Sequence, residues 1–154
     1  MAEVLLALEG IGLAELPEQI ASASAKLVAM CESRDGGGLD YSEGSLAVVE
    51  SMLAEAAAFV AEMTPDQVTT LAQDFGCYIL EVGRREFGGR YLWHDQRDQP
   101  VLVVGEPALR VAILAWDKVR GRLGGDAGDN ISFFYAGFAE RARNADPGTD
   151  VLYV

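Results

Sequence analysis

The stretch that decides the fold is residues 64–94, TPDQVTTLAQDFGCYILEVGRREFGGRYLWH. It begins with Thr64 as a helix cap, a proline in the first turn and a glutamine at the third helical position, which together make a capping box. Apolar residues then recur at helical spacing as far as Val82. Gly88 and Gly89 end the helical period, and a β-type run follows. The stretch therefore predicts a long helix that turns directly into a strand.

Periodicity on either side of that stretch predicts four more helices. One runs from about Pro17 to Cys31, and the next begins at the cap Ser42. A helix is also expected to open at Pro107 and to continue to about Leu123, because apolar residues recur there at helical spacing. Asp129 or Asn130 is expected to cap the last one.

The predicted fold class is α+β, with about five helices packed against one antiparallel hairpin around a single core. The hairpin joins residues 90–94 and 101–104, two β-type runs separated by polar residues and a proline. Residues 4–8 are left open between helix and strand, and residues 151–154 between a strand and a frayed tail. One domain over residues 1–154 is expected, and an all-α fold is the alternative. The residues expected to be buried are Leu71, Phe75, Ile79, Val82, Val103, Trp116, Phe134 and Phe138.

The charge of the chain is strongly negative and unevenly spread. The net charge is −12, and residues 1–74 hold 13 acidic and 2 basic side chains. This excess argues against nucleic acid and anionic membranes as partners, because both bind basic patches. Two interpretations stay open: the carboxylates solvate helix surfaces, or they dock a basic protein partner. Glu50, Glu55 and Glu62 are the expected contacts, since they lie outside the main apolar stripe of the second helix.

Cysteine usage and the start of the chain bear on location. Cys31 and Cys77 form neither a C-x-x-C pair nor a disulfide framework, although one bridge between them stays open. The first ten residues, MAEVLLALEG, lack the basic start of a secretory signal. No apolar run approaches the ~20 residues that span a bilayer. We therefore expect a cytoplasmic protein with no membrane partner.

Polar and aromatic side chains gather where the long helix meets the hairpin. Glu81, Arg85, Arg90, Trp93 and His94 are the candidate ligand-binding residues of a cleft there. Arginine in such a cleft would favour a carboxylate or phosphate ligand. The alternative is a solvated helix face on which Glu81 and Arg85 form an i,i+4 pair.

Catalytic residues, metal ligands and cofactors are not predicted. His94 is the only histidine, and its neighbour Asp95 should point to the opposite face of a strand. The glycine-rich residues 121–130 follow a helix and lack the phosphate-loop pattern.

A second apolar stripe on the second helix is a candidate interface. Val48, Met52 and Phe59 lie about 100° from the main stripe. They favour a homodimer, and burial inside the monomer is the alternative.

Three segments together resemble uncharacterised bacterial protein families: YSEGSLAVVESML, FGCYILEVGRREFGGRYLW and NISFFYAGF. The resemblance covers roughly residues 40–140 and implies no established activity, so no functional residue follows from it. We therefore expect a non-enzymatic interaction protein that docks or neutralises a basic protein. The alternative is a small-molecule-binding or enzymatic domain with an anionic-ligand site where residues 64–87 meet the hairpin.

Overall fold

The computed structural model describes residues 15–32, 38–126, 128 and 130–154. The undecided segment at residues 4–8 and the candidate cap Asp129 lie outside these residues. Within them the helices are α1 (Leu16–Cys31), α2 (Leu46–Ala57), α3 (Pro65–Phe87), α4 (Trp116–Leu123) and α5 (Ile131–Asn144). The strands are β1 (Arg90–His94), β2 (Gln99–Val104), β3 (Arg110–Ile113) and β4 (Asp150–Tyr153). Short 3₁₀ turns at Glu43–Ser45 and Val60–Glu62 flank α2.

The long helix and its start are as predicted. Thr64 Oγ1 accepts a hydrogen bond from the Gln67 backbone N–H at 3.1 Å, and Gln67 Oε1 accepts one from the Thr64 N–H at 2.9 Å. Gly88 ends α3 with a positive φ of 75°. Asn130 caps α5 through its side chain, which accepts from the Phe133 N–H.

The strands form one mixed sheet in the order β1-β2-β3-β4. The α+β class is confirmed, but the sheet is larger than the predicted hairpin, because it has four strands. β1 pairs with β2 and β2 with β3 in antiparallel fashion, whereas β4 pairs with β3 in parallel. All six residues of β2 are buried, because β2 has a strand on each side and side chains packed on both faces.

The prediction of a helix from Pro107 was wrong, because residues 110–113 form β3. Their apolar spacing fits a helix, but Val111 and Ile113 are β-branched and also fit a strand. The two side chains lie in the main core, and their Cα partners across β2 are Val104 and Leu102. Pairing with a buried strand therefore overrides the local helical pattern, and α4 begins only at Trp116.

The helices pack on one face of the sheet, with α3 at the centre against α1, α4 and β2. Seven of the eight residues predicted to be buried are buried, and Leu71 is half-buried. Close packing depends on Gly76 of α3, where a Cβ atom would overlap the Trp116 ring. Val103 belongs to a smaller cluster on the outer face of the sheet.

Polar contacts hold the first end of α2 against the core. The Tyr78 hydroxyl of α3 accepts a hydrogen bond from the Tyr41 backbone N–H at 2.8 Å and shares one with Ser45 Oγ at 2.6 Å. Further along α2, the Glu50 carboxylate lies 2.6 Å from Arg122 Nε and accepts a hydrogen bond from the Ile131 N–H at 2.9 Å. The first half of α2 is therefore tied to three other helices.

None of the described helices is long and apolar enough to cross a membrane.

Candidate functional site

The junction of α3 and β1 is centred on a buried carboxylate. Glu81 is fully buried, so the expected solvation of this helix face was wrong, whereas the expected i,i+4 pair of Glu81 with Arg85 is present. Its carboxylate accepts two hydrogen bonds from the Arg84 guanidinium, at 2.8 and 2.9 Å, and one from the Tyr91 hydroxyl at 2.5 Å. Arg85 Nε lies 3.7 Å from the same carboxylate. The side chain is buried because these partners satisfy its charge.

These partners also decide the protonation state of Glu81. Burial by itself would raise the pKa of Glu81, but the hydrogen bonds from Arg84 and Tyr91 outweigh that effect and lower it. The carboxylate is therefore ionised at neutral pH and already occupied by donors from its own chain.

The other candidate residues of the junction point to different places. Arg85 stacks on the Tyr41 ring, with its guanidinium carbon 3.5 Å from the ring centroid. Arg90 forms a surface pair with Glu106, at 2.7 and 3.1 Å. Trp93 packs edge-on against Trp116 inside the fold. The structure thus brings Glu81 and Arg85 together and leaves Arg90 and Trp93 apart from them.

His94 lies on the outer face of the sheet. Its Nδ1 accepts a long hydrogen bond of 3.3 Å from the Arg97 N–H. It borders a shallow hollow of about 340 Å³ together with Arg110 and Asp150, which pair with each other at 2.9 Å. Within the described residues, no three His, Cys, Asp or Glu side chains converge in a way that would hold a metal ion.

A larger apolar groove opens between α1, α2 and α3. It has a volume of about 440 Å³ and shares the lining residue Leu71 with a hollow of about 450 Å³ at the start of α3. We call the two together the methionine groove, because three of the four methionines of the chain line it. Its lining residues are Leu27, Met30, Cys31, Met52, Glu55, Ala56, Phe59, Met63, Asp66, Gln67, Thr70, Leu71 and Phe75.

Two large apolar side chains of this groove are mostly in solvent. Met30 is 64% exposed near the end of α1, and Phe59 is 59% exposed just after α2. Between them Met52 is half-buried, with its sulfur 3.8 Å from Cys31 Sγ. Isolated exposed apolar residues are ordinary, but a contiguous apolar hollow is typical of a binding surface.

The charges near the groove are negative. Glu55 and Asp66 belong to the lining, and Glu62 is exposed in the turn that leads from Phe59 to Met63. No described lining residue is basic. Elsewhere among the described residues, the ion pairs include those of Arg90 with Glu106, Arg110 with Asp150, Arg122 with Glu50, and Arg143 with both Glu43 and Glu86.

Of the residues expected to contact a partner or to form an interface, some line the groove and others do not. Val48 is half-buried and packs against the core, whereas Met52 and Phe59 line the groove. Glu50 is not the surface carboxylate that the sequence suggested, since its side chain is 17% exposed and contacts Arg122. Sequence reasoning missed the α1 side of the groove, because Met30 falls off the apolar stripe of its own helix. It missed the α3 side because the approach of these helices follows from tertiary packing.

No known protein family, curated protein or solved structure matches this chain. The function is therefore inferred from the surface itself.

Proposed function

We propose that this chain is a non-enzymatic interaction protein whose methionine groove binds a basic amphipathic helix of a partner protein. The observation that carries the proposal is the groove itself, an open apolar hollow between three helices with Glu55 and Asp66 in its lining.

The apolar lining suits the hydrophobic face of a helix. Helix-in-groove recognition uses a few apolar side chains at helical spacing that enter a hydrophobic groove. Methionine has an unbranched, polarisable side chain that adjusts to different shapes, and it is common on surfaces that bind helices. Met30, Met52 and Met63 supply this property from three different elements.

The carboxylates suit a helix whose polar face is basic. Lysine or arginine beside the apolar face would lie close to Glu55 and Asp66. The chain as a whole carries a net charge of −12, which would speed the approach of a cationic partner. A homodimer through Met52 and Phe59 is less favoured, because it would bring two acidic surfaces together.

The anionic-ligand alternative receives less support. The arginines expected to bind an anion already contact carboxylates of the chain, Arg84 and Arg85 at Glu81 and Arg90 at Glu106. Cys31 and Cys77 are both buried and form no disulfide with each other, which supports the cytoplasmic location that belongs to this proposal.

A model peptide tests the proposal directly. The probe is a leucine–lysine peptide of about five helical turns with leucine at helical spacing, and the control is a scrambled peptide of the same composition. Calorimetry should show saturable binding of the first peptide only. Binding should weaken markedly from about 0.05 M to about 0.3 M salt, because charge attraction is screened.

Matched variants locate the site. Phe59→Ala and Met30→Ala should each weaken binding about tenfold, whereas Phe133→Ala, which truncates an exposed phenylalanine on α5, should not. Glu55→Gln combined with Asp66→Asn should reduce the salt dependence, and Glu140→Gln should not. Equal binding of the scrambled peptide would contradict the proposal. The proposal would also be contradicted if the wild-type protein did not bind the peptide and instead formed a dimer that Phe59→Ala dissociates.

A further inference from the structure

A smaller cavity, partly open to solvent, lies away from the methionine groove. It has a volume of about 100 Å³ and lies where α1 and α3 meet the start of β2. We call it the indole cavity. Its apolar lining residues are Ile20, Ala23 and Pro100, and its polar ones are Gln19, Gln73, Asp74, Cys77 and Trp116. The volume is several times the roughly 10–15 Å³ that one water requires.

Trp116 lines this cavity, and its indole N–H has no strong hydrogen-bond acceptor. Trp116 is 1% exposed, and among the described residues its Nε1 has no oxygen or nitrogen acceptor; its one neighbouring acceptor is the Cys77 sulfur, which accepts hydrogen bonds only weakly. The backbone N–H of the same residue donates to Gln99 Oε1 at 3.0 Å, so only the side chain lacks a strong acceptor. A buried donor without a partner is destabilising, and native proteins rarely leave one.

An acceptor stands in the same cavity. Asp74 is buried, and its Oδ2 lies 3.0 Å from Lys26 Nζ. A carboxylate has room for several hydrogen bonds, so Asp74 retains accepting capacity toward the cavity. Burial raises the pKa of the Cys77 thiol to about 12, so Cys77 remains a neutral, weakly polar group.

We propose that the indole cavity binds a small neutral molecule that accepts a hydrogen bond from Trp116 and donates one to Asp74. A primary amide or a short alcohol has this chemistry, and its apolar part would contact Ile20, Ala23 and Pro100. An anion is disfavoured by the Asp74 carboxylate, and a cation would leave the indole N–H without an acceptor.

Acetamide is the probe, and the indole N–H resonances of the full ¹⁵N-labelled chain give the readout. The chain has two tryptophans, and Trp93→Phe assigns their signals. The Trp116 indole resonance should shift downfield and saturate with acetamide, while the Trp93 resonance should move little. Saturation separates binding in a defined cavity from a solvent effect, which grows in proportion to concentration.

Two α1 variants provide the control. Ala23→Leu fills the cavity and should abolish the saturable shift, whereas Ala25→Leu makes the same change at an exposed position of α1 and should retain it. Asp74→Asn leaves the volume nearly unchanged, and it should weaken acetamide binding about tenfold, because a hydrogen bond to an ionised group is stronger than one to a neutral group.

Three results would overturn the proposal. The first is a Trp116 shift that rises linearly with acetamide. The second is a shift of equal size in Ala23→Leu, in a variant whose melting temperature shows that it is folded. The third is magnetisation transfer from Trp116 N–H to water that persists at the highest acetamide concentration, which would mean that the cavity holds water only.

Discussion

Removing the carboxylate of Glu81 tests the role of the buried network in stability. Glu81→Ala deletes the acceptor of the Tyr91 hydroxyl, which is buried, and of Arg84, which is 39% exposed in its side chain. Breaking a buried ion pair costs about 3–5 kcal/mol. Because water can solvate the partly exposed Arg84 guanidinium in the variant, we expect a loss of stability at the lower end of this range, about 3 kcal/mol. Tyr91→Phe removes a hydrogen bond to a charged group and should cost about 2 kcal/mol.

The double variant makes the test specific, and urea unfolding at pH 7 measures all three free energies. With Glu81 already gone, the Tyr91 hydroxyl has no partner, and its removal relieves an unsatisfied group. The double variant should therefore lose no more than Glu81→Ala alone, about 3 kcal/mol, instead of the roughly 5 kcal/mol that simple addition gives. Strictly additive losses, or a Tyr91→Phe variant as stable as the wild type, would refute the assignment of these contacts.

The same network predicts a pH dependence. The pKa of Glu81 is lowered in the folded protein from its ordinary value of 4.5, so the stabilisation is present above that value and is lost as the pH falls through the folded pKa. Glu81→Gln cannot ionise. The stability difference between the wild type and Glu81→Gln should therefore be largest near neutral pH and shrink in acid. A difference that stays constant into the acid range would contradict the ionised network.

Three further outcomes are expected. Gly76→Ala should cost about 2–3 kcal/mol in urea unfolding, because its Cβ overlaps the Trp116 ring; a variant of wild-type stability would place α4 elsewhere. Glu50→Lys should cost about 3–5 kcal/mol because it breaks a partly buried pair with α4, whereas Glu62→Lys on the surface should change stability by under about 0.5 kcal/mol; equal effects would contradict the placement of Glu50. Cys77, which is buried with its pKa raised to about 12, should resist Ellman's reagent at pH 8 until urea unfolds the protein, and fast labelling in the native state would argue against its burial.

The elements that the sequence predicted correctly are those with local signals. α3 has a capping box at one end and glycines at the other, and both are read within a few residues. β3 has no such signal. Val111 and Ile113 fit either a helix or a strand, and only the pairing with β2 decides between them. Long-range pairing of this kind is not visible in the local pattern.

Only part of the candidate site could be predicted from the sequence, again because only local patterns are visible there. Met52 and Phe59 come from the pattern of one helix, so the sequence marked them together. The other walls of the groove belong to α1 and α3, and their approach follows from tertiary packing. Glu81 shows the opposite failure, because a carboxylate beside an apolar stripe is usually solvated, and this one is buried by partners that include Tyr91, ten residues away.

The two ends of α2 differ in how they are held. Tyr78 contacts Ser45 and the Tyr41 backbone at the first end, and Glu50 contacts α4 and α5 within the next turn. Burial then declines from Leu53, which is fully buried, to Phe59. Amide hydrogen exchange should therefore slow toward the first end of α2 and quicken toward the last, because local opening is easiest where few contacts are lost. Phe59 follows the less firmly held end of α2, so we expect the groove wall that carries it to adjust to side chains of different size more readily than the first end of the helix.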